Sequence, residues 1–164
     1  MISTEFKRAM RAVASTVTIL STRDIYGDRH GMVATAVVSV SMEPPSLLIC
    51  VNHGASIHAP LIERGRFCVN VLTTEHEELV SAFSGRLKGA QRFELGDWRD
   101  ESEGMCYLHD AQCNLFCDVD CVIPFATHSI VIGRVTAVRV ADCIAPLIFA
   151  DGKFLGSTVG RPLV

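Results

Sequence analysis

Residues 33–52 read VATAVVSVSMEPPSLLICVN, and this stretch decides the fold class. Its first half is made of small and β-branched residues without helical spacing, so it predicts that a strand covers Met32–Val40. Pro44-Pro45 ends that strand, because proline removes a backbone donor and restricts the residue before it. The second half, Ser46–Val51, is apolar enough to predict a strand that is buried on both faces.

Similar patterns recur along the rest of the chain. Thr16–Ser21 alternates as a strand does, and the turn residues within Asp24–Gly31 predict that the Met32 strand returns beside it as a hairpin. Asp151-Gly152 predicts a second tight turn. Further strands are predicted at Phe67–Leu72, 112–123, 129–140, 147–150 and 153–155. About seven or eight antiparallel strands with about three helices indicate a mainly β fold, an antiparallel β-barrel with a few helices.

Two of the three predicted helices precede residue 66. Phe6–Ala14 carries apolar residues at helical spacing. Ser56 is placed to cap the helix IHAPLIER, and Gly65 follows that helix at the position where glycine commonly ends one.

The third helix is predicted by a capping-box pattern. Thr74 and Glu77 stand three residues apart before ELVSAFS, and Gly85 ends that segment. Residues 86–111 then carry glycines, charges and a single Trp, which predicts a long excursion over the surface.

Composition excludes several classes of protein. The 164 residues favour a single domain, 1–164, with 49% hydrophobic and 20% charged residues. A net charge of −3 without a basic run argues against a nucleic-acid partner. The N-terminus MISTEFKRAM lacks an apolar signal segment, and no apolar run reaches the roughly 18 residues of a membrane helix. We expect a cytoplasmic protein with no membrane partner.

The seven cysteines raise disulfides and a metal site as alternatives. The odd count and the lack of any CxxC argue against both. Cys113, Cys117 and Cys121 recur at every fourth residue, which in a helix gathers three thiols but in a strand separates neighbours by about 13 Å, too far to share a metal. Strict alternation favours the strand, with Leu115, Val119 and Ile123 on the thiol face and Gln112, Asn114, Asp118 and Asp120 on the other. We expect packing thiols and no metal.

Familiar nucleotide and hydrolase motifs are missing from the sequence. It contains no GxGxxG, GxxxxGK[ST], GxSxG or HExxH, so any nucleotide binds outside the Rossmann and P-loop modes. The small residues of the strand around Thr35 and Ala36 would let a flat ligand approach the backbone. Close packing between barrel strands explains the same residues equally well, and composition leaves both readings open.

The order of these segments resembles the short-chain flavin reductase family, the reductase components of two-component flavin-dependent monooxygenases. The resemblance runs from Phe6 to Phe154. It rests on FKRAMRAVASTVTILST, MVATAVVSVSMEPPSLLICVN, SIHAP, RFCVNVL, SAFSG, Arg92-Phe93 with Trp98, ATHSIVIGRV and PLIFADGKF occurring in that order.

The resemblance implies a homodimeric, antiparallel FMN-binding split barrel. It further implies that NADH or NADPH delivers hydride to N5 of FMN or FAD, and that a partner monooxygenase receives the reduced flavin. The residues that match the flavin and nicotinamide contacts of the family are Thr35, Ala36, Val37, Ser39, Cys50, Val51, Asn52, Ser56, Phe83, Ser84, Gly85, Lys88, Arg92, Phe149 and Gly152. Ser56 as a helix N-cap suits a phosphate, and Lys88 or Arg92 would neutralise it.

His128, in Ala-Thr-His, matches a family histidine near the nicotinamide and is the expected catalytic residue, either orienting the cofactors or supplying a proton. One position departs from the family, because many members carry Arg or Lys after Asn52 and this chain has His53. The short C-terminal tail suits a flavin that exchanges as a substrate. Two other functions stay open: a reductase that keeps its flavin and passes electrons to a corrinoid or ferric acceptor, and a non-catalytic flavin-binding protein.

Overall fold

One seven-stranded antiparallel sheet forms the body of the fold. The computed structural model describes residues 1–155. The predicted tail, 156–164, lies outside the described residues. The helices are α1 (Ile2–Arg11), α2 (His58–Arg64) and α3 (Glu77–Ser81). The strands are β1 (Ser15–Thr16), β2 (Thr18–Arg23), β3 (Arg29–Ala34), β4 (Val37–Met42), β5 (Pro45–Asn52), β6 (Arg66–Val71), β7 (Trp98–Asp100), β8 (Cys106–Leu108), β9 (Cys113–Phe125), β10 (His128–Val140), β11 (Ile148–Ala150) and β12 (Lys153–Leu155).

The main sheet has the order β3-β2-β6-β9-β10-β5-β4, so its two edge strands are consecutive in the chain. β1, β11 and β12 form a small second sheet, and β7 with β8 forms a separate hairpin. The predicted mainly β, antiparallel class is confirmed. The single strand predicted over Met32–Val40 is wrong, because the chain leaves one edge at Ala34 and joins the other at Val37. The amide of Val37 donates to the Thr35 carbonyl at 3.1 Å, which turns the chain between the two edges.

The inner face of the curled sheet forms the larger apolar cluster. Alternate residues Leu47, Ile49 and Val51 of β5 point into it, beside Leu20, Phe67, Val69 and Val131 from neighbouring strands. Ile57 and Leu61 bring α2 onto the same core. The expectation that β5 is buried on both faces is wrong for the single chain, since Leu48 and Cys50 on its outer face are only half-buried.

A second cluster covers the outer face of β2 and β3. Leu79 of α3 and Phe83 after it pack with Ile19, Trp98 and Leu108. The excursion predicted for 86–111 therefore has its own structure, a 3₁₀ segment at Gly89–Glu94 followed by the β7–β8 hairpin, and its aromatic residues belong to the core.

The helix ends differ from the predictions by one to four residues. α1 covers Ile2–Arg11 rather than Phe6–Ala14, because the backbone has already become extended at Ser15, where β1 pairs with β11. The N-cap of α2 is Ile57 and not Ser56, since the Leu61 amide donates to the Ile57 carbonyl. Gly65 ends α2 in the left-handed conformation at φ 69°, as predicted.

The capping box before α3 also lies one residue earlier than predicted. It joins Thr73 to His76 rather than Thr74 to Glu77. The Thr73 amide donates to His76 Nδ1 at 3.1 Å, because a short 3₁₀ turn precedes the α-helical turns.

The three cysteines of β9 do not share one environment. Cys117 is buried and Cys113 half-buried, as packing thiols should be, but Cys121 is exposed. The ladder with β10 slips near Asp120, so that Cys121 and Val119 face consecutive residues of β10 and the alternation reverses there. Asn114, expected to face away from the core, is buried because the β7–β8 hairpin covers it.

Within residues 1–155, no group of three His, Cys, Asp or Glu side chains is arranged to hold a metal ion. None of the helices in that range is both long and apolar enough to cross a membrane.

Candidate functional site

Two neighbouring cavities lie beside the link that joins β3 to β4. One, of about 490 Å³, lies between the β1 segment and the start of β4, with Thr18, Val71 and Pro146 in its wall. The other, of about 510 Å³, lies under α1. Thr35 and Ser15 line both cavities, so the Thr35-Ala36 link stands at their junction.

The backbone of this link is free to bind a ligand. The ladder of β3 ends at Ala34 and that of β4 begins at Val37, so the amides of Thr35 and Ala36 belong to neither. The Thr18 hydroxyl donates to the Ala34 carbonyl at 2.6 Å and holds the end of β3 in place. Thr35 and Ala36 are exposed. Small exposed residues with unpaired amides can receive the edge of a flat heterocycle.

The groove under α1 brings Phe149 to Thr35. Phe6, Lys7 and Met10 line its helix side, and Phe149 its other wall. Sequence reasoning missed these three helix residues as site candidates, although α1 itself is predicted. The sequence shows the helical spacing of Phe6 and Met10, but only the structure shows that no residue of α1 is buried and that its apolar face is open.

Gly152 lies at the C-terminal end of the same helix. The Arg11 guanidinium donates to Asp151 at 3.0 Å, and the Asp151 amide donates to the Arg11 carbonyl at 2.8 Å. Asp151 and Gly152 both have positive φ, 48° and 78°, as the predicted tight turn requires. This turn holds α1 beside the groove.

The end of β5 meets the start of β10. Asn52 is the register partner of His128, and Cys50 is the partner of Ile130. His128 is exposed, and its Nδ1 lies 2.9 Å from the Thr127 hydroxyl. The side chain of Val51 is fully buried, so that residue can offer a ligand only its backbone.

A histidine pair lies beside this strand end. His53 Nε2 and His58 Nε2 lie 3.2 Å and 2.9 Å from the hydroxyl of Ser129, which is 3% exposed. Burial, together with the proximity of His53, lowers the pKa of His58 below its usual value. Sequence reasoning noted His53 only as a departure and missed His58 and Ser129, because their meeting depends on the pairing of β5 with β10.

Phe83, Ser84 and Gly85 follow α3 in the chain, and the turn that contains them packs against β3. The Phe83 ring packs against Gly31, where a Cβ would approach its Cε1 to 2.7 Å, and against Phe93 and Trp98. Gly85 has φ 117°, which turns the chain after α3. Ser84 and Gly85 are exposed above this packing.

The two candidate phosphate cations differ in availability. Arg92 donates to the Gly31 carbonyl at 2.9 Å and to the Leu87 carbonyl at 3.1 Å, so it ties the 3₁₀ segment to β3. Lys88 is exposed and forms no ion pair within residues 1–155. Ser39 is exposed on edge strand β4, and Ser56 is exposed in the loop before α2.

The predicted residues thus form three groups within the fold. Thr35 meets Phe149, Asn52 meets His128, and Phe83 to Gly85 lie with Arg92 on β3. Val37 follows directly after the link, as the first residue of β4.

Comparison with known proteins connects this geometry to a family. The profile of the flavin reductase like domain matches residues 10–157. The chain is 37% identical over 159 residues to the reductase component of FADH2-dependent resorcinol hydroxylase from Rhizobium sp., covering 96% of this chain and 88% of that protein. It is 36% identical over 150 residues to FMN reductase (NADH) RutF of Pantoea ananatis, covering 92% and 78%.

A solved structure agrees with the sequence relatives. The styrene monooxygenase flavin reductase of Pseudomonas putida S12 superposes with a TM-score of 0.86 at 25% identity, covering 96% of this chain and 99% of that one. With a profile match over most of its length and relatives above 30% identity, the chain belongs to the flavin reductase like domain family.

Proposed function

We propose that this chain, as a single domain over 1–164, is an NAD(P)H-dependent flavin reductase. It transfers hydride from NADH or NADPH to N5 of FMN or FAD and supplies the reduced flavin to a partner monooxygenase. The observation that carries the proposal is the Thr35-Ala36 link, whose amides belong to neither flanking ladder at the junction of two cavities, in a chain of this family.

The residues at this junction fit a flavin. An isoalloxazine ring is flat and presents hydrogen-bond acceptors along one edge, to which the amides of Thr35 and Ala36 can donate. Their small side chains leave room for the ring, and the adjoining cavity of about 490 Å³ has the size of a small-molecule site. A bound flavin would supply the hydride acceptor, so the protein contributes position and electrostatics.

Other predicted residues would surround that ring. Val37, Ser39 and Phe149 would contact it from beside the link, and Cys50, Val51 and Asn52 would contact it from the end of β5. Ser84 and Gly85 lie exposed over β3. Lys88 is better placed than Arg92 to neutralise a phosphate, because the Arg92 guanidinium already binds two carbonyls. Ser56 contributes its exposed hydroxyl without the capping role expected of it.

His128 is proposed as the residue nearest the nicotinamide. Its exposed imidazole stands opposite Asn52, with Nδ1 beside the Thr127 hydroxyl. That contact would orient the ring and leave Nε2 free to meet a ligand or hold a proton.

We propose a homodimer on the apolar outer face of the sheet. Residues paired across antiparallel strands lie on the same face, and the register aligns Val38, Leu48, Ile132 and Cys121 in one row, with Cys50, Ile130 and Ile123 in the next. Val38 is 56% and Ile123 45% exposed. A second copy would bury this patch, and with it the outer face of β5. We call these seven residues the outer-face patch.

A cytoplasmic location completes the proposal. All seven cysteines are free thiols, which suits a reducing compartment.

The decisive experiment is an NADH and NADPH oxidation assay on the purified protein with added FMN and FAD. Saturable oxidation that depends on free flavin supports the proposal. Oxidation that occurs without added flavin and passes only to a corrinoid or ferric acceptor would replace it with the bound-flavin reductase. Flavin binding with no turnover of either nucleotide would contradict any reductase function.

A further inference from the structure

One buried hydroxyl is shared by two imidazoles at the start of β10. Ser129 is 3% exposed, and its Oγ lies 2.9 Å from His58 Nε2 and 3.2 Å from His53 Nε2. The two rings meet edge to face with centroids 5.0 Å apart. The His53 amide also donates to the Thr127 carbonyl at 2.9 Å, which fixes the loop after β5 against β10. We call these three side chains the His53–Ser129–His58 unit.

Counting hydrogens shows that this unit can carry one extra proton without losing a hydrogen bond. A serine hydroxyl has one donor and accepts through its lone pairs, while a neutral imidazole has one donor and one acceptor nitrogen. When one ring is protonated, its Nε2–H donates to Ser129 and the Ser129 hydroxyl donates to the other ring. When both are protonated, the hydroxyl proton has no acceptor in the unit and two positive charges face each other.

The two rings of the unit differ in their access to water. His58 is half-buried on α2, and both its desolvation and the neighbouring His53 disfavour a charge there. His53 is exposed, so water or a ligand can reach its charge.

No carboxylate of the described part of the chain neutralises this unit. Within residues 1–155, the histidines that pair with carboxylates are His30 with Asp24 and His76 with Asp110. The charged and titratable groups on the elements that pack around the unit are Cys50 on β5, Glu63 and Arg64 on α2, Arg23 on β2, Arg66 and Cys68 on β6, Cys113, Cys117, Asp118, Asp120 and Cys121 on β9, and His128, Arg134 and Arg139 on β10. His53 is the one charged neighbour that contributes to the shifted pKa of His58. The unit therefore has no carboxylate partner within the described residues, and its hydrogen bonds leave room for one extra proton.

We propose that the His53–Ser129–His58 unit takes up one proton when a flavin nucleotide binds and presents it to the nucleotide's phosphate. The inference rests on the proposed function, because Asn52 and Ser56, on either side of His53 in the chain, are proposed flavin contacts. A phosphate is the part of a flavin nucleotide that carries negative charge near neutral pH, and it favours a protonated imidazole. Binding of FMN or FAD is then linked to pH, whereas binding of riboflavin is not.

The test compares the dissociation constants of FMN, FAD and riboflavin between about pH 6 and pH 8.5, a range that spans the usual imidazole pKa. If phosphate raises the pKa of the unit by about one unit, the affinity for FMN and FAD relative to riboflavin rises about tenfold as the pH falls. FAD has no phosphate group that titrates in this range. A pH dependence that FAD shares with FMN therefore comes from the protein and not from titration of the FMN phosphate. Calorimetry in buffers of different ionisation enthalpy counts the proton directly.

Three variants and one control locate the effect. His53→Gln removes the cation and should abolish both proton uptake and the pH dependence, and Ser129→Ala should weaken both by separating the two rings. His53→Lys keeps a permanent charge and should bind FMN tightly at every pH. His109→Gln, a histidine outside the unit, should behave as the wild type does.

The outcomes are distinct. A tenfold change that disappears in His53→Gln and persists in His109→Gln supports the proposal. Tight binding of FMN and FAD with no proton uptake, or a pH dependence that survives in His53→Gln, would overturn it while leaving the flavin reductase intact. If no flavin binds at any pH, the proposed function itself fails, and this inference fails with it.

Discussion

Gly133 shows how little room single residues leave inside the curled sheet. On β10 it faces Phe67, and an added Cβ would approach the Phe67 Cζ to 2.5 Å and the Cβ of Cys117 to 3.0 Å. We expect Gly133→Ala to lower the free energy of unfolding by about 1–3 kcal/mol, since both neighbours are held by the core. Urea denaturation measures the change. Adding Phe67→Leu should recover part of the loss, and purely additive effects would contradict the contact.

A variant of His128 tests whether this residue and the end of β5 beside it take part in the reaction. His128→Ala should reduce kcat/KM for NADH with FMN by about tenfold or more, because it removes a group placed to orient the nicotinamide or hold a proton. A pH profile and separate kcat and KM values distinguish these two roles. His109→Ala is the matched control. If rate and KM are unchanged in His128→Ala, the residue has no role in the site.

The cysteines divide by burial, which sets their reactivity. Burial raises the pKa of the Cys117 thiol to about 12 and that of Cys106 to about 11, and it raises the pKa of Cys68 well above its ordinary value. A thiol reagent at about pH 8 should therefore react slowly at all three, because the thiolate is the reactive form. Cys121 and Cys143 are the exposed cysteines of the described residues, and a partner on the outer-face patch would cover Cys121. Cys143 should therefore react first, and Cys143→Ala should remove the fast phase. Rapid labelling of Cys117 in the native protein would show that the core opens there.

At the scale of the elements, one carboxylate joins three strands. Asp100 of β7 lies 2.6 Å from the Arg23 guanidinium of β2 and 2.9 Å from that of Arg29 on β3. Desolvation raises the pKa of Asp100, but the hydrogen bonds from these two guanidinium groups outweigh it and lower the pKa below its ordinary value of 3.8. The hairpin is thus held to the sheet edge by an ion pair that acid removes.

A folded pKa below the unfolded one gives stability that is present above about pH 4 and lost as the pH falls through the folded pKa. Asp100→Asn should therefore cost about 0.5–1 kcal/mol near pH 7, a modest amount because the pair is partly exposed. It should also flatten the stability curve below about pH 4. Asp142→Asn, an exposed carboxyl outside this network, is the control for chemical denaturation across pH. Equal acid sensitivity in Asp100→Asn and the wild type would contradict the linkage.

At the scale of the whole molecule, the outer-face patch sets the expected assembly. Ile123→Glu places a charge within the proposed dimer face and should convert a species of twice the 17.9 kDa chain mass into one of a single chain, as measured by light scattering. Cys121 should then become faster to label, since the partner no longer covers it. Ile144→Glu, at a position 74% exposed outside the patch, should leave the mass unchanged. A wild-type chain that is monomeric at micromolar concentration would refute the homodimer.

The parts of this protein that sequence predicts are those determined by neighbours in the chain. Strands over 112–123 and 129–140, the tight turn at Asp151-Gly152 and the left-handed Gly65 are found as predicted, because strand preference and glycine conformation are local properties. The order of the family segments also indicated the fold and the flavin chemistry. The predicted helix caps differ by one residue from those found at Ile57 and Thr73, because backbone and side-chain partners compete for the same first-turn amides.

What only the tertiary structure decided depends on contacts between distant residues. The break at Thr35-Ala36 follows from the chain crossing between two sheet edges, and the exposure of Cys121 follows from a slip against β10. His53, His58 and Ser129 meet because β5 pairs with β10, a register that no local pattern encodes. The amino-acid sequence thus determined a mainly antiparallel chain of a flavin reductase type. The three-dimensional pairing decided which of its side chains share a hydrogen-bonded cluster, a cavity or an exposed apolar face, because each such group joins segments far apart in the chain.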